Sequence, residues 1–152
     1  MFGFSGSDYF YIRRILHQVY LDSFVSVVTE PQYGEDELSV FCSEKIFKSI
    51  ACLHPFIIVG GKGSLKRLRQ LGYKTFDGFI DESYDKESDS TKRMAMVAAE
   101  VKRLCSMSKE EIHNWYWSME EILYHNRERT LNIHKDEPYS LEFIKYLVQK
   151  VS

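Results

Sequence analysis

Ser43, Glu44 and Lys45 stand at the head of an amphipathic segment, Ile46-Phe47-Lys48-Ser49-Ile50-Ala51, which runs through His54-Pro55 into the apolar stretch Phe56-Ile57-Ile58-Val59 and then Gly60-Gly61-Lys62-Gly63. A helix N-terminus offers unpaired backbone N–H groups and the positive end of the peptide dipole, which suit a diphosphate. A carboxylate in the same turn can take two ribose hydroxyls. On that reading Glu44 meets ribose and Lys45 neutralises phosphate. The plainer reading makes both solvated charges of a first turn, with the glutamate favoured by the dipole. Gly60, Gly61 and Gly63 would let backbone approach a phosphate or base, although their spacing is neither G-x-G-x-x-G nor a Walker loop. Glu30, just past a β-branched run, would project into the crevice at a strand's carboxyl end.

The remaining polar residues read mainly as structure. Lys62, Lys66, Arg67 and Arg69 form the solvated face of a helix, with Lys62 the member best placed to reach a ligand. Asp77, Asp81, Glu82 and Asp85 could hold a divalent metal or sugar hydroxyls, but they lack EF-hand spacing and read as a polar connecting loop. His17, His54, His113, His125 and His134 show no HExxH or paired-ligand spacing. Glu121 and His125 form an i,i+4 helix pair. No nucleophile–base constellation can be assembled, so no catalytic residue, metal or cofactor is assigned.

These residues need a scaffold, and apolar periodicity supplies one. Ile12, Ile15, Leu16 and Val19 recur at helical spacing, and Phe24 to Thr29 reads as a buried strand. Pro31 to Glu37 is an acidic loop. Ser43 is the N-cap of a helix that must end before Pro55, because the residue preceding proline is pushed to extended geometry. Phe56 to Val59 forms the second strand. Leu65, Leu68 and Leu71 mark a helix closed by Gly72 at C′, and Tyr73 to Phe76 is a third strand. Beyond the acidic loop, Met94 to Leu104 and Ile112 to Leu123 mark two helices, the second opened by a Ser108/Glu111 capping box, and Ile144 to Val151 a last one. Helix–strand alternation predicts a parallel sheet that binds ligands at its carboxyl edge, where Thr29, Glu30, Gly60, Gly61 and Asp77 would lie.

With 152 residues, 44% hydrophobic, the chain fits one domain: an α/β core over 24–80 and a helical part over 89–152. A formal charge of -2, from 20 basic and 22 acidic residues mixed along the chain, shows no footprint for duplex nucleic acid or an acidic membrane. Cys42, Cys52 and Cys105 are odd in number and unpaired in spacing, which argues against a disulfide framework or zinc ribbon and for a reducing, cytoplasmic setting. No stretch has the length of a membrane span, and the N-terminus lacks signal-peptide character.

The stretches Ser26-Val-Val-Thr-Glu30, Phe41-Cys-Ser-Glu-Lys-Ile-Phe-Lys48, His54-Pro-Phe-Ile-Ile-Val-Gly60 and Gly63-Ser-Leu-Lys-Arg-Leu-Arg-Gln-Leu-Gly-Tyr-Lys-Thr-Phe76 resemble the C-terminal, donor-binding half of GT-B glycosyltransferases. The likeness extends to the fucosyltransferase-like branch with its Thr/Ser-Glu-Lys motif. Small bacteriophage and marine bacterial proteins with the same motif series, ending in Asp-Glu-Ser-Tyr-Asp, are similar as well. The resemblance implies a Rossmann-like half domain with a parallel sheet of about three to four strands and a helical C-terminal extension. It implies that Glu44 meets the donor ribose, Lys45 the diphosphate, and Gly60 and Gly61 the nucleotide, with Ser43, Glu30 and Lys62 beside the same pocket. Such enzymes close the cleft with an N-terminal Rossmann half that binds the acceptor. The expected partners are therefore a nucleotide-sugar donor, a glycan or other acceptor, and a chain or second copy supplying the acceptor side. The alternative is a non-catalytic module that binds a nucleotide or nucleotide-sugar.

Overall fold

The computed structural model describes residues 18–30 and 42–133. The expected loop Pro31–Glu37, the start of the helix before Tyr20 and the helix Ile144–Val151 lie outside the described residues. Two short strands, β1 (Ser26–Thr29) and β2 (Phe56–Val59), pair in parallel, with Val27 opposite Ile57 and Val28 opposite Ile58. The crossover between them carries α1 (Glu44–Ala51). Ser43 caps it as expected: the Lys45 N–H donates to the Ser43 hydroxyl at 3.3 Å. Pro55 prevents the helix from continuing, and the chain turns at Leu53, which takes a left-handed φ of 58°. That conformation costs a non-glycine residue about 1 kcal/mol, and the Tyr116 hydroxyl secures it by donating to the Leu53 carbonyl at 3.0 Å.

The helix α2 (Ser64–Gln70) follows the glycine turn and ends at Gly72, whose φ of 84° is the left-handed C′ conformation its sequence position predicts. A 3-10 turn spans Glu82–Lys86, and then come α3 (Ser90–Cys105), α4 (Lys109–Trp117) and α5 (Glu120–Ile133). The Ser108/Glu111 capping box forms, with the Ser108 N–H donating to Glu111 at 2.7 Å. The helix expected over Ile112–Leu123 is instead two, broken at Ser118 and Met119. Met119 is 1% exposed, so the break turns one apolar residue inward. Ile46, Ile50, Phe56, Ile58, Leu65, Leu68 and Phe76 pack together as the core, with the Phe56 and Phe76 rings edge to face.

Tyr73–Phe76 is not a third strand, and the described sheet has two strands where three to four were expected. Side chains take the backbone groups that a strand ladder would pair. The Lys74 N–H donates to Asn126 Oδ1 and the Asn126 amide donates back to the Lys74 carbonyl, both at 2.8 Å. The Phe76 N–H donates to Glu82 Oε1 at 2.6 Å. On the far side of β2 the Tyr84 hydroxyl accepts the Ile58 N–H at 3.3 Å. The architecture is thus mixed α/β and dominated by helix.

His54 ties the start of β2 to Tyr20 and to the start of β1. Its Nε2 lies 2.6 Å from the Tyr20 carbonyl and its Nδ1 3.1 Å from the Ser26 hydroxyl, with the ring 3% exposed. Burial lowers the His54 pKa, so the native state holds the imidazole neutral while the unfolded chain takes up a proton near the ordinary value of about 6.5. The unfolded state then binds more protons in that window, and His54 withdraws stability as pH falls below about 6.5. Urea unfolding at about pH 5 and about pH 7.5 should show a loss at the lower pH that His54→Gln reduces.

Candidate functional site

The carboxyl edge of the parallel pair gathers three of the expected residues. Just past β1, the Glu30 N–H donates to the Val59 carbonyl at 2.9 Å. Its Oε1 accepts the Ser43 N–H at 3.1 Å, which joins the strand end to the first turn of α1. Gly60 lies against it: a Cβ there would sit 3.0 Å from Ser64 Oγ, 3.1 Å from Ile58 Cγ2 and 3.4 Å from Glu30 Cβ. The bare glycine therefore admits the protein's own side chains. Glu30 is 9% exposed, and its Oε2 is buried with no hydrogen-bond partner among the described residues. A buried carboxylate oxygen left unpaired is costly, and it retains full capacity to accept from a hydroxyl.

Lys45 takes a different direction. It lines an open groove of about 460 Å³ with Tyr20, Val27, Thr29, Lys48 and Ser49, along the outer side of β1. None of Gly60, Gly61 and Lys62 lines this groove. The Gly61 carbonyl accepts the Ser64 hydroxyl at 2.7 Å, and the Lys62 ammonium donates to the Ser88 hydroxyl at 3.0 Å. Glu44 is the first residue of α1; its side chain lies outside the described part. The expected set thus divides between Glu30, Ser43 and Gly60 at the strand ends, Lys45 beside Thr29, and Gly61 and Lys62 in the turn toward α3.

That turn is closed by an internal anion. Asp85 Oδ1 accepts the Leu65 N–H at 2.8 Å and Oδ2 the Lys66 N–H at 3.0 Å, so a carboxylate occupies the start of α2 where a phosphate was considered. Glu82 is likewise consumed: besides the Phe76 N–H it accepts the Thr75 hydroxyl at 2.8 Å and Arg69 Nη1 at 3.0 Å. Burial pushes the Glu82 carboxyl up, against the lowering effect of those donors. At exposed Asp81 hydrogen bonds from Ser83, hydroxyl first and then backbone N–H, hold the carboxyl down. Arg69 of the basic cluster thus meets two carboxylates, lying also 3.6 Å from Asp85. Among the described residues no group of three or more His, Cys, Asp or Glu could hold a metal ion. These carboxylates act as the connecting loop the sequence suggested; Asp81 caps the 3-10 turn locally, whereas Asp85 and Glu82 take backbone N–H groups 20 and 6 positions away.

The other reactive groups are tied up or inert. Burial raises the Cys42 thiol to about 11 and Cys52 to about 12, so neither supplies a thiolate at neutral pH. Ser26 and His54 form a pair that sequence reasoning did not find, but the imidazole is spent on the Tyr20 carbonyl and buried. Glu121 lies 3.4 Å from Lys74, while His125 Nε2 lies 3.2 Å from the Gly72 carbonyl, so the expected helix pair is replaced by two separate contacts. No described helix is long and apolar enough to cross a membrane. Neither a family model, nor a curated protein, nor a solved structure matches this chain.

Proposed function

We propose that this chain is a donor-binding half of glycosyltransferase type, holding a nucleotide-sugar at the carboxyl end of β1, with sugar transfer completed by an acceptor-binding partner. The observation that carries the reading is Glu30, whose buried Oε2 lacks a partner among the described residues beside the first turn of α1. A carboxylate with spare acceptor capacity fits the vicinal hydroxyls of a ribose or hexose. Lys45, exposed on that turn, faces a neighbouring groove of about 460 Å³ that Glu30 does not line; that groove would take the diphosphate, and its volume is in the usual range for small-molecule sites. When a nucleoside diphosphate leaves, the helix dipole and the Lys45 ammonium would offset its developing charge. The finer Rossmann-like assignment belongs to this proposal, and it draws on the parallel β1–α1–β2 unit.

The test is calorimetry with a panel of nucleoside diphosphates and their sugar conjugates. Lys45→Ala removes one charge-assisted contact, so binding should weaken about tenfold to a hundredfold, while the urea midpoint stays put because the side chain is exposed. Unchanged affinity in that variant counts against the site. Release of free nucleoside diphosphate from a bound donor would mark catalysis, and recovery of intact ligand the binding module. The second reading has its own support, since burial keeps Cys42 and Cys52 as thiols and His54 is spent on the Tyr20 carbonyl.

A further inference from the structure

Among the described residues no strand pairs with the outer edge of β1. Ser26 and Glu30 direct their N–H groups to Pro55 and Val59 of the β2 segment, so by strand alternation Val27 and Thr29 turn their N–H and C=O groups the other way. No hydrogen bond to those outward groups is present among the described residues. Val27 is 47% exposed and Phe24 36%. A groove lies on each face of this edge. On the α1 side it carries Tyr20 and Lys45 and, among the described residues, no acidic one. On the other it is apolar, about 200 Å³, with Phe24, Val101, Cys105 and Ile112 around Val27.

We propose that β1 receives an extended segment of another polypeptide as an added strand, and that this segment alternates acidic and apolar residues. Main-chain pairing to Val27 and Thr29 supplies affinity, and alternate side chains fall to opposite faces. Acidic ones meet Lys45, and apolar ones meet Phe24 and Ile112. Charge chooses the occupant, because a second copy of β1 laid on the same edge would bring its own Lys45 toward this one. The inference does not require the nucleotide reading.

The probe is a fluorescent peptide of about eight residues alternating Glu and Val, a usual strand length, followed by anisotropy. Binding should fall about tenfold or more when the peptide's alternate nitrogens are methylated, since that removes its ladder donors, and again in Val27→Pro. Proline is tolerated there because the Val27 N–H plays no part in the β1–β2 ladder, and the urea midpoint of Val27→Pro should stay close to the parent's. Methylation tests the pairing even if that variant does not fold. Equal binding of a Lys/Val peptide, no binding of the Glu/Val peptide, or indifference to methylation would overturn the proposal; the first would leave Lys45 as a guard against strand addition. A dimer in sedimentation that Val27→Pro dissociates would assign the edge to a second copy and overturn it too.

Discussion

Asp85→Ala is expected to cost about 3 kcal/mol of stability, the largest effect of any single carboxylate in the described structure. Asp85 is 4% exposed, and its two oxygens take the N–H groups of Leu65 and Lys66 at 2.8 and 3.0 Å. Each is a charge-assisted bond to an otherwise orphaned donor at a helix start, and the negative charge also meets the positive end of α2. The residue's backbone contributes as well, since its carbonyl accepts the Gly63 N–H at 2.9 Å. Asp85→Asn should recover only part of the loss, because the amide NH₂ must face one of the two donors. Urea midpoints of the three proteins check this. A midpoint for the alanine variant within about 0.5 kcal/mol of the parent would show that water replaces the carboxylate at no cost, contrary to its burial.

Asn126→Ala should be nearly as damaging, at about 2 to 4 kcal/mol. Asn126 is 2% exposed and acts as a one-residue substitute for a neighbouring strand, accepting from the Lys74 N–H and donating to the Lys74 carbonyl at 2.8 Å. Its removal strands both backbone groups and loosens α5 from the segment that follows α2. Asn126→Asp distinguishes this account from simple packing, because the side chain is nearly isosteric but turns an acceptor toward the Lys74 carbonyl. It should be destabilising at neutral pH and recover as the carboxyl protonates on acidification. If Asp is tolerated at neutral pH, the paired hydrogen bonds are not what holds the segment.

Both residues show where the sequence stops being legible. Ser43, Gly72 and the Ser108/Glu111 pair were readable because each cap is decided within a few residues of itself. Phe56–Val59 was readable because four consecutive apolar residues bounded by Pro55 and Gly60 leave few alternatives. Tyr73–Phe76 has the composition of a strand, yet Asn126, 52 positions from Lys74, takes the Lys74 backbone hydrogen bonds. The candidate site divides in the same way. Position at a strand end brought Glu30 to Ser43 and Gly60, whereas the side of α1 on which Lys45 emerges follows from how the helix rolls on the sheet.

By itself, then, the order of residues determined the local starts and stops, the parallel β1–α1–β2 unit and the burial of its apolar face, because capping, proline geometry and periodicity act over one or two turns. Only the tertiary structure decided which carboxylates are free. Asp85 and Glu82 are spent on backbone N–H groups 20 and 6 positions away, while Glu30 keeps one buried oxygen unpaired among the described residues. The physical reason is that a carboxylate's role depends on which donors surround it in space, and those donors are brought together by packing between segments distant along the chain.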